Sequence, residues 1–487
     1  MRKLRILVVS DYFKLHTGFA CVTRNIIKRI RKLNPNIEWH YLAWFYDPRA
    51  EVNYSDYVDK DKVYTTERKR EDIYAENTFP KIIDKKKFDI VWAIGDWWMC
   101  KAPAEYNIFK NYTLIIYTPI DSASPPLRSK EVFDKADVLV MYTHWAQRVF
   151  AETFPKIKTI VIPHGVDINT FHPLSNDEIK QIRKQIGASK DAFLIGNFNR
   201  NQPRKNIPEH LLAFRYFLDA WKSCPKCHSI FFESKVKQIS KLKVKIEKIG
   251  LDNIKKCPNC GYSKLYKGKA KKNAYLFLHM MFNAPPEQGW NITETKWGGK
   301  PGGLVEMYDL KGHIFHTEGI SVGRGVPDDQ LNRLYNAMDL TVNVSAAEGF
   351  GLQSIEVMAT GKAVPLISNY GGHLDFVTRP YQKIDTYILR PQPVTNVLWA
   401  TPDVFDFVKK LDLFYYDDPK ILHQKYGMPK DIICGKKLRE ICAKEDREKA
   451  VKYYNWDKIA KIWLELFENV RLKNELRPGD EVRLQKF

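Results

Sequence analysis

Short apolar runs, each followed by a polar or amphipathic stretch, recur along most of the 487 residues and leave few architectures open. The first series comprises Arg5–Ser10, Trp39–Ala43, Ile90–Ile94, Thr113–Tyr117, Val138–Tyr142 and Thr159–Pro163. Runs this short, rich in Val, Ile, Tyr and Trp, read as strands buried on both faces. Their alternation with helical stretches predicts a doubly wound parallel sheet. A second series starts at Ala192–Phe198 and continues through Ala274–Phe282, Gly312–Phe315, Leu340–Val344 and Ala363–Ile367. A chain of this length exceeds one ordinary core. The expected fold class is therefore α/β, with two doubly wound Rossmann-like domains; two such sheets facing each other put their strand C-termini into one central cleft.

No apolar run reaches the roughly 18 residues that a membrane helix needs. The segment Met1–Asp11 has the outline of a signal peptide, but its apolar core is short and stops at Asp11. A buried strand fits it better. The expectation is a cytoplasmic protein, with attachment to a membrane surface or to nucleic acid left open. The formal charge of +21 points to a polyanionic partner: nucleic acid, anionic lipid or another polymer. A general lysine bias is the competing explanation, so the placement of the charge decides.

The richest segment is Ala347–Pro365, which sets Glu348 and Glu356 eight residues apart across the turn Gly349-Phe350-Gly351 and the start of a helix. Glycines allow close backbone approach to a ligand, and a helix N-terminus offers free amides to an anion. Glu356 falls one and a half to two turns into that helix, so both acids can face one bound molecule. Amides for phosphate and carboxylates for hydroxyls suit a sugar nucleotide.

This segment resembles the donor-site signature of family 4 retaining glycosyltransferases, which have the GT-B fold. The resemblance extends to Leu331–Asp339 upstream, to Gly371-Gly372 downstream and to Pro163-His164-Gly165-Val166-Asp167 at the end of the first domain. It implies transfer of a sugar from a nucleoside-diphosphate sugar to an acceptor hydroxyl. Position by position, it implies that Arg200 and Lys205 neutralise the diphosphate and that Glu356 accepts hydrogen bonds from the ribose. Glu348 is then placed at a donor-sugar hydroxyl, with the amides of Phe350, Gly351 and Leu352 at sugar or phosphate oxygens. Arg204 reads either as a further phosphate contact or as a solvated basic loop. Thr17-Gly18-Phe19 resembles the loop that approaches the diphosphate from the first domain. Many relatives carry a histidine after the strand matching Thr113–Tyr117. This chain has Tyr117-Thr118-Pro119-Ile120-Asp121, so Asp121 becomes the candidate acceptor-side contact or base. His144 and His164 are alternatives that also read as structural. Asp96 and Trp97, in Gly95-Asp96-Trp97-Trp98, are placed on the acceptor side, where the tryptophans either stack on a ligand or plug the core. No catalytic metal is expected, and Asp59-Lys60-Asp61 reads as a solvated loop.

Four of the eight cysteines form two knuckles, Cys224-Pro225-Lys226-Cys227 and Cys257-Pro258-Asn259-Cys260. That spacing predicts a structural four-thiolate zinc site, with two disulfides as the alternative. A helix over Lys235–Ile249 is expected between the knuckles. Between Lys222 and Lys272 stand fifteen lysines and three acids, a surplus of twelve within a total of +21. Such a basic ribbon fits nucleic acid or an anionic membrane. The expected organisation is an acceptor-side domain over 1–170 and a nucleotide-sugar domain over 171–455, the latter carrying the ribbon insertion 222–272. A helix and tail over 456–487 are expected to cross back to the first domain.

Overall fold

The computed structural model describes residues 3–46, 56–66, 72–107, 112–233, 251–282, 289–292, 303–317, 326–392 and 397–475. The first sheet contains β1 (Leu4–Asp11), β2 (Ile37–Trp44), β3 (Val63–Thr65), β4 (Ile90–Ile94), β5 (Thr113–Thr118), β6 (Val138–Met141) and β7 (Ile160–Val161). Its order is β3-β2-β1-β4-β5-β6-β7, parallel throughout. Apart from the short β3, each strand lies within or around an expected apolar run.

The second sheet begins with β8 (Phe193–Asn197) and the helix Ile207–Leu218. The chain then leaves it for a small antiparallel sheet of β9 (Trp221–Ser223), β10 (Ile230–Phe232) and β11 (Tyr266–Gly268), ordered β10-β9-β11. It returns as β12 (Ala274–Leu278), β13 (Ile314–His316), β14 (Leu340–Asn343), β15 (Val364–Ser368) and β16 (Lys383–Ile384). The order β13-β12-β8-β14-β15-β16 is again parallel. An antiparallel hairpin follows, β17 (Thr386–Pro391) and β18 (Leu398–Pro402). The expected helix Lys235–Ile249 lies outside the described residues.

Both sheets have a switch point where strand order reverses, between β1 and β4 in the first and between β8 and β14 in the second. Loops leaving the C-terminal ends on either side of such a point open a crevice. The two crevices meet. The Glu348 amide donates to the Asp121 carbonyl across the lobes at 3.0 Å, Arg200 reaches the His16 carbonyl at 3.0 Å, and Ala123 N donates to the Tyr370 hydroxyl at 2.6 Å.

The helix Trp456–Glu475 packs on the first sheet. Its Trp463 and Phe467 rings lie 4.7 and 5.2 Å from Trp92. Arg29 ties its start to the interlobe segment, with Asp457 at 2.6 Å and Asp167 at 2.7 Å.

The insertion is anchored through charge as well as apolar packing. Gly268 lies against the Trp221 indole so closely that a Cβ there would stand 2.1 Å from Nε1. Behind it, Asp412 is fully buried between Lys271 at 3.0 Å and Lys425 at 2.6 Å, and it accepts from Tyr426 at 2.6 Å. Removing the shared anion strands two buried ammonium groups. Asp412→Asn is expected to lower unfolding free energy by about 3–5 kcal/mol, read from denaturant titration. A change below 1 kcal/mol counts against this anchor.

Candidate active site

Each key side chain leaves a strand end at a switch point. Lys205 follows β8 on a tight turn, Pro203–Lys205, and Glu348 follows β14. Lys205 Nζ donates to Glu348 Oε2 at 2.7 Å and to Ser345 Oγ at 2.8 Å. Asn343 Nδ2 adds a donor to the same carboxylate oxygen at 3.3 Å, and Ser345 Oγ donates to Asn343 Oδ1 at 2.6 Å. The pair is largely closed from solvent, with side-chain exposures of 7% and 13%. Burial alone raises a carboxyl, but Lys205 and Arg204 beside Glu348 hold it well below the usual range. Burial, and then Arg204, pull the Lys205 ammonium down to about 8 against the pull of Glu348.

Arg204 donates to the Ala347 carbonyl at 2.9 Å, and its own carbonyl accepts from Ala346 N. It therefore belongs to the Glu348 loop, which sequence reading left undecided. Arg200 is exposed and lies over the first-lobe loop that carries His16. Gly18 opens the helix Gly18–Leu33, capped by Thr17, whose hydroxyl donates to Asp11 Oδ2 at 2.6 Å. A Cβ on Gly18 would sit 3.8 Å from Leu352 Cδ1, so this helix end faces the start of the helix Leu352–Thr360.

The turn before that helix depends on glycine. Gly351 has φ +93° at the N-cap, Gly371 has φ +103°, and a Cβ on Gly372 would overlap the Gly349 carbonyl at 2.0 Å. Gly372 N instead donates to the Glu348 carbonyl at 2.7 Å. The amides of Phe350, Gly351 and Leu352 donate to no acceptor among the described residues. The Phe350 ring itself belongs to the core, against His164 and Phe376.

Glu356 does not touch Glu348's partners. It accepts from the Tyr335 hydroxyl at 3.0 Å, and burial, then Asp328, push its carboxyl up to about 8. On the first lobe, burial and then Asp121 push Asp96 up to about 7, opposed by Arg204. Trp97 packs against the first lobe's core, while Trp98 is exposed. His164 is a core residue whose Nδ1 pairs with the Tyr117 hydroxyl at 2.7 Å, and burial drops it to about 3. His144 lies at the surface, its amide donating to Asp375. Asp59 pairs with Lys62 at 2.9 Å and Arg31 at 3.7 Å beside an exposed turn.

Sequence reasoning missed Asn343, Ser345, Tyr335 and His373. His373 is fully buried, its Nε2 bonds the Ser368 carbonyl at 3.0 Å, and Nδ1 has no partner. The lone signal for it was its place just after Gly371-Gly372.

The four cysteine sulfurs lie within 4.8 Å of one another. Cys224–Cys260 and Cys227–Cys257 are each 3.5 Å apart, and none of the eight cysteines forms a disulfide. The two knuckles share one hydrogen-bond pattern. His228 N donates to the Cys224 carbonyl and Gly261 N to the Cys257 carbonyl, while Cys224 N reaches the Ser229 carbonyl and Cys257 N the Tyr262 carbonyl. The fifth residue of each turn has positive φ, +59° at His228 and +72° at Gly261. A tetrahedral zinc with bonds of about 2.3 Å sets sulfurs roughly 3.8 Å apart, so the cluster fits that ion.

No known protein-family pattern matches the chain, and no curated protein matches its sequence. Solved structures do match its architecture. Sucrose-phosphate synthase from Thermosynechococcus elongatus is similar at TM-score 0.61 and 14% identity, over 97% of this chain and 100% of that one. The fold is GT-B. HepE from Anabaena, solved with UDP and glucose, matches at 0.59 and 15% identity, over 96% of this chain and 99% of that one. A glycosyltransferase from Rickettsia africae matches at 0.59 and 14%, over 97% and 100%. In this GT-B chain the ribbon is carried by the connection that enters β12 at its N-terminal end, away from the strand ends that line the cleft.

Proposed function

We propose that this protein is a metal-independent, retaining glycosyltransferase that moves a sugar, such as a hexose, from a nucleoside diphosphate to an acceptor hydroxyl. The observation that carries the reading is the buried Lys205–Glu348 pair at the β8/β14 switch point, with Arg204 beside it and Arg200 over the first-lobe loop that carries His16. Breaking the glycosidic bond leaves negative charge on the diphosphate, and fixed cations in a closed cleft stabilise it. Arg200, Lys205 and Arg204 supply that charge without a divalent cation. Free amides at Phe350, Gly351 and Leu352, facing Gly18, suit phosphate or sugar oxygens. Glu348 then orients the donor sugar and Glu356 the ribose, while Asp121 meets the incoming hydroxyl. UDP is the first nucleotide to test, because HepE was solved with it. Incubation with UDP-sugars and mixed acceptors should release UDP, and NMR of the product should show the donor's anomeric configuration. An inverted product removes retention; no nucleotide binding removes the reading.

The Lys205 proton gives a pH signature. Its ammonium is positive below about 8, so cation-assisted donor binding is present there and fades as pH rises through that value. The donor KM should climb above pH 8 in the native protein, but not in Lys205→Arg, whose guanidinium stays charged. An identical alkaline limb in both proteins assigns the change elsewhere.

The ribbon supports a second element of this reading: zinc holds it, and its basic surface docks on a polyanion, with nucleic acid first and an anionic membrane as the alternative. Lys226, Lys255, Lys256, Lys264, Lys267, Lys269 and Lys272 are all exposed. None of them has an ion-pair partner among the described residues. Tyr262 and Tyr266, 36% and 37% exposed, stand among them. Lysines interleaved with aromatics suit single strands. A modified base in that polymer is one acceptor to consider, and a glycan, glycolipid or glycoprotein is another. A non-catalytic polyanion binder on the same fold is the remaining alternative. Lys264, Lys267 and Lys269 changed together to Glu should weaken oligonucleotide binding at least about tenfold and flatten its salt dependence. Unchanged binding removes the docking role.

A further inference from the structure

The two walls of the cleft differ in charge. Cations come from the second lobe: Arg200, Arg204 and Lys205. The first lobe offers carboxylates from three neighbouring strand ends: Asp11 closing β1, Asp96 just after β4 and Asp121 after β5. Backbone contact fixes their place. The Asp121 carbonyl receives the Glu348 amide at 3.0 Å, and Pro119 lies so close to Gly349 that a Cβ there would stand 2.9 Å from the proline Cβ. Asp121 therefore abuts the residue assigned to the donor sugar. Asp96 interacts electrostatically with Asp121, Asp11 and, across the gap, Arg204.

A second observation points to a ligand here. Tyr142, just beyond the end of β6, is 3% exposed, and its hydroxyl has no hydrogen-bond partner. One edge of its ring faces Gly349, with Cδ2 3.8 Å from the Cβ position there, and its hydroxyl feels the charges of Asp96 and Asp11. Asp11 Oδ1, on a residue 4% exposed, is likewise without a partner. A buried phenol lacking any partner is costly unless a ligand's polar group meets it.

Resting on the glycosyltransferase reading, we propose that the acceptor group entering this cleft is an uncharged polyol, a sugar or sugar alcohol without phosphate on the reacting unit, held by Asp96, Asp121 and the Tyr142 hydroxyl. Sugar hydroxyls donate to carboxylates and both donate to and accept from a phenol. Above the Asp96 value of about 7, a phosphate brought to the same wall meets ionised carboxylates, while the cations opposite are engaged by the donor's diphosphate. Like charges set side by side disfavour the wrong partner strongly. On this assignment the ribbon's polyanion is an anchor and not the acceptor itself.

The test uses the full chain with UDP bound, so that donor-site failure is seen first. If neither UDP nor any other nucleoside diphosphate binds by calorimetry, the enzyme reading fails and the acceptor proposal with it; if another one binds, it takes the place of UDP. With UDP in place, saturation-transfer NMR compares glucose, fructose, sucrose and sorbitol with glucose 6-phosphate, fructose 6-phosphate and 5-hydroxymethylcytosine-containing DNA. At least one neutral polyol should bind about tenfold or more tightly than any phosphorylated counterpart. Asp121→Asn and Tyr142→Phe should weaken that binding while leaving UDP affinity within twofold. Asp96→Lys with Asp121→Lys should turn the preference toward the sugar phosphates. Preference for a phosphorylated sugar or for the DNA overturns the proposal, as does failure of every neutral polyol to bind the UDP complex.

Discussion

Lys205→Met is expected to reduce sugar transfer by roughly 10²–10³-fold or more and to destabilise the protein by about 3–5 kcal/mol. Both effects follow from one contact. Lys205 is the charge partner of Glu348 at 2.7 Å in a site nearly closed to water. Removing the ammonium leaves a buried carboxylate beside Asn343, Ser345, Arg204 and His373, and it removes a cation from the position proposed for the leaving diphosphate. The two consequences separate in a double variant. Lys205→Met with Glu348→Leu removes both charges, so most of the lost stability should return while transfer stays absent. Denaturant titration reads the first quantity and UDP release the second. If Lys205→Met folds with native stability and turns over normally, the pair is neither a structural nor a catalytic element, and the assignment of the cleft falls with it.

Much of this was legible because strands buried on both faces leave a plain mark. Ile90–Ile94 is a strand over the expected residues, and its five residues are all fully buried. Glycines forced by geometry were equally visible: Gly351 and Gly371 have positive φ, and Gly372 is pressed against a carbonyl. Elements that depend on distant partners were hidden. β3 is three residues long and exists because β2 offers an edge. The β17–β18 hairpin has apolar residues, but Tyr387 and Leu389 are exposed and the pair is antiparallel, so it stands outside the parallel series. Within the site, the acidic and cationic motifs were readable as patterns, but the side chains that fix them were not. Ser345 and Asn343 lie in an ordinary strand end, and Tyr142 reads as one more core aromatic. Only the fold shows that its hydroxyl is buried without a partner.

The same contrast explains the unequal roles of the 57 acids and 78 bases. A global excess of positive charge suggests that the whole surface attracts polyanions, whereas the described structure segregates it. The ribbon's exposed lysines project from the connection entering β12, and the cleft sets carboxylates on one wall against cations on the other. Long-range attraction and local recognition can therefore take opposite signs in one molecule. A polyanion drawn to the ribbon is not thereby admitted to the cleft.

Metal removal should expose how far the ribbon is a separate unit. Purified protein is expected to hold one zinc per chain, and chelation or Cys257→Ser should release it. With the ion gone, the two knuckles keep only polar links such as Asn259 Nδ2 to Ser229 Oγ at 2.8 Å among the described residues, and zinc binding to such sites is worth on the order of 10 kcal/mol. The loss should unfold Leu251–Tyr262 and free the buried side of β9, where Trp221 covers Gly268. Hydrogen exchange should therefore rise sharply across 221–232 and 251–268, and oligonucleotide binding should fall. The Lys271–Asp412–Lys425 anchor lies at that boundary, so partial deprotection should extend into the helix Pro419–Tyr426. The cleft is built from strand ends on the opposite side of the sheet, so UDP affinity should change by less than about threefold, within the additivity expected of distant sites. Protein that carries no zinc, or loses it with exchange unchanged, rejects the metal site. Loss of UDP binding in step with zinc instead makes the ribbon part of the donor domain's own core.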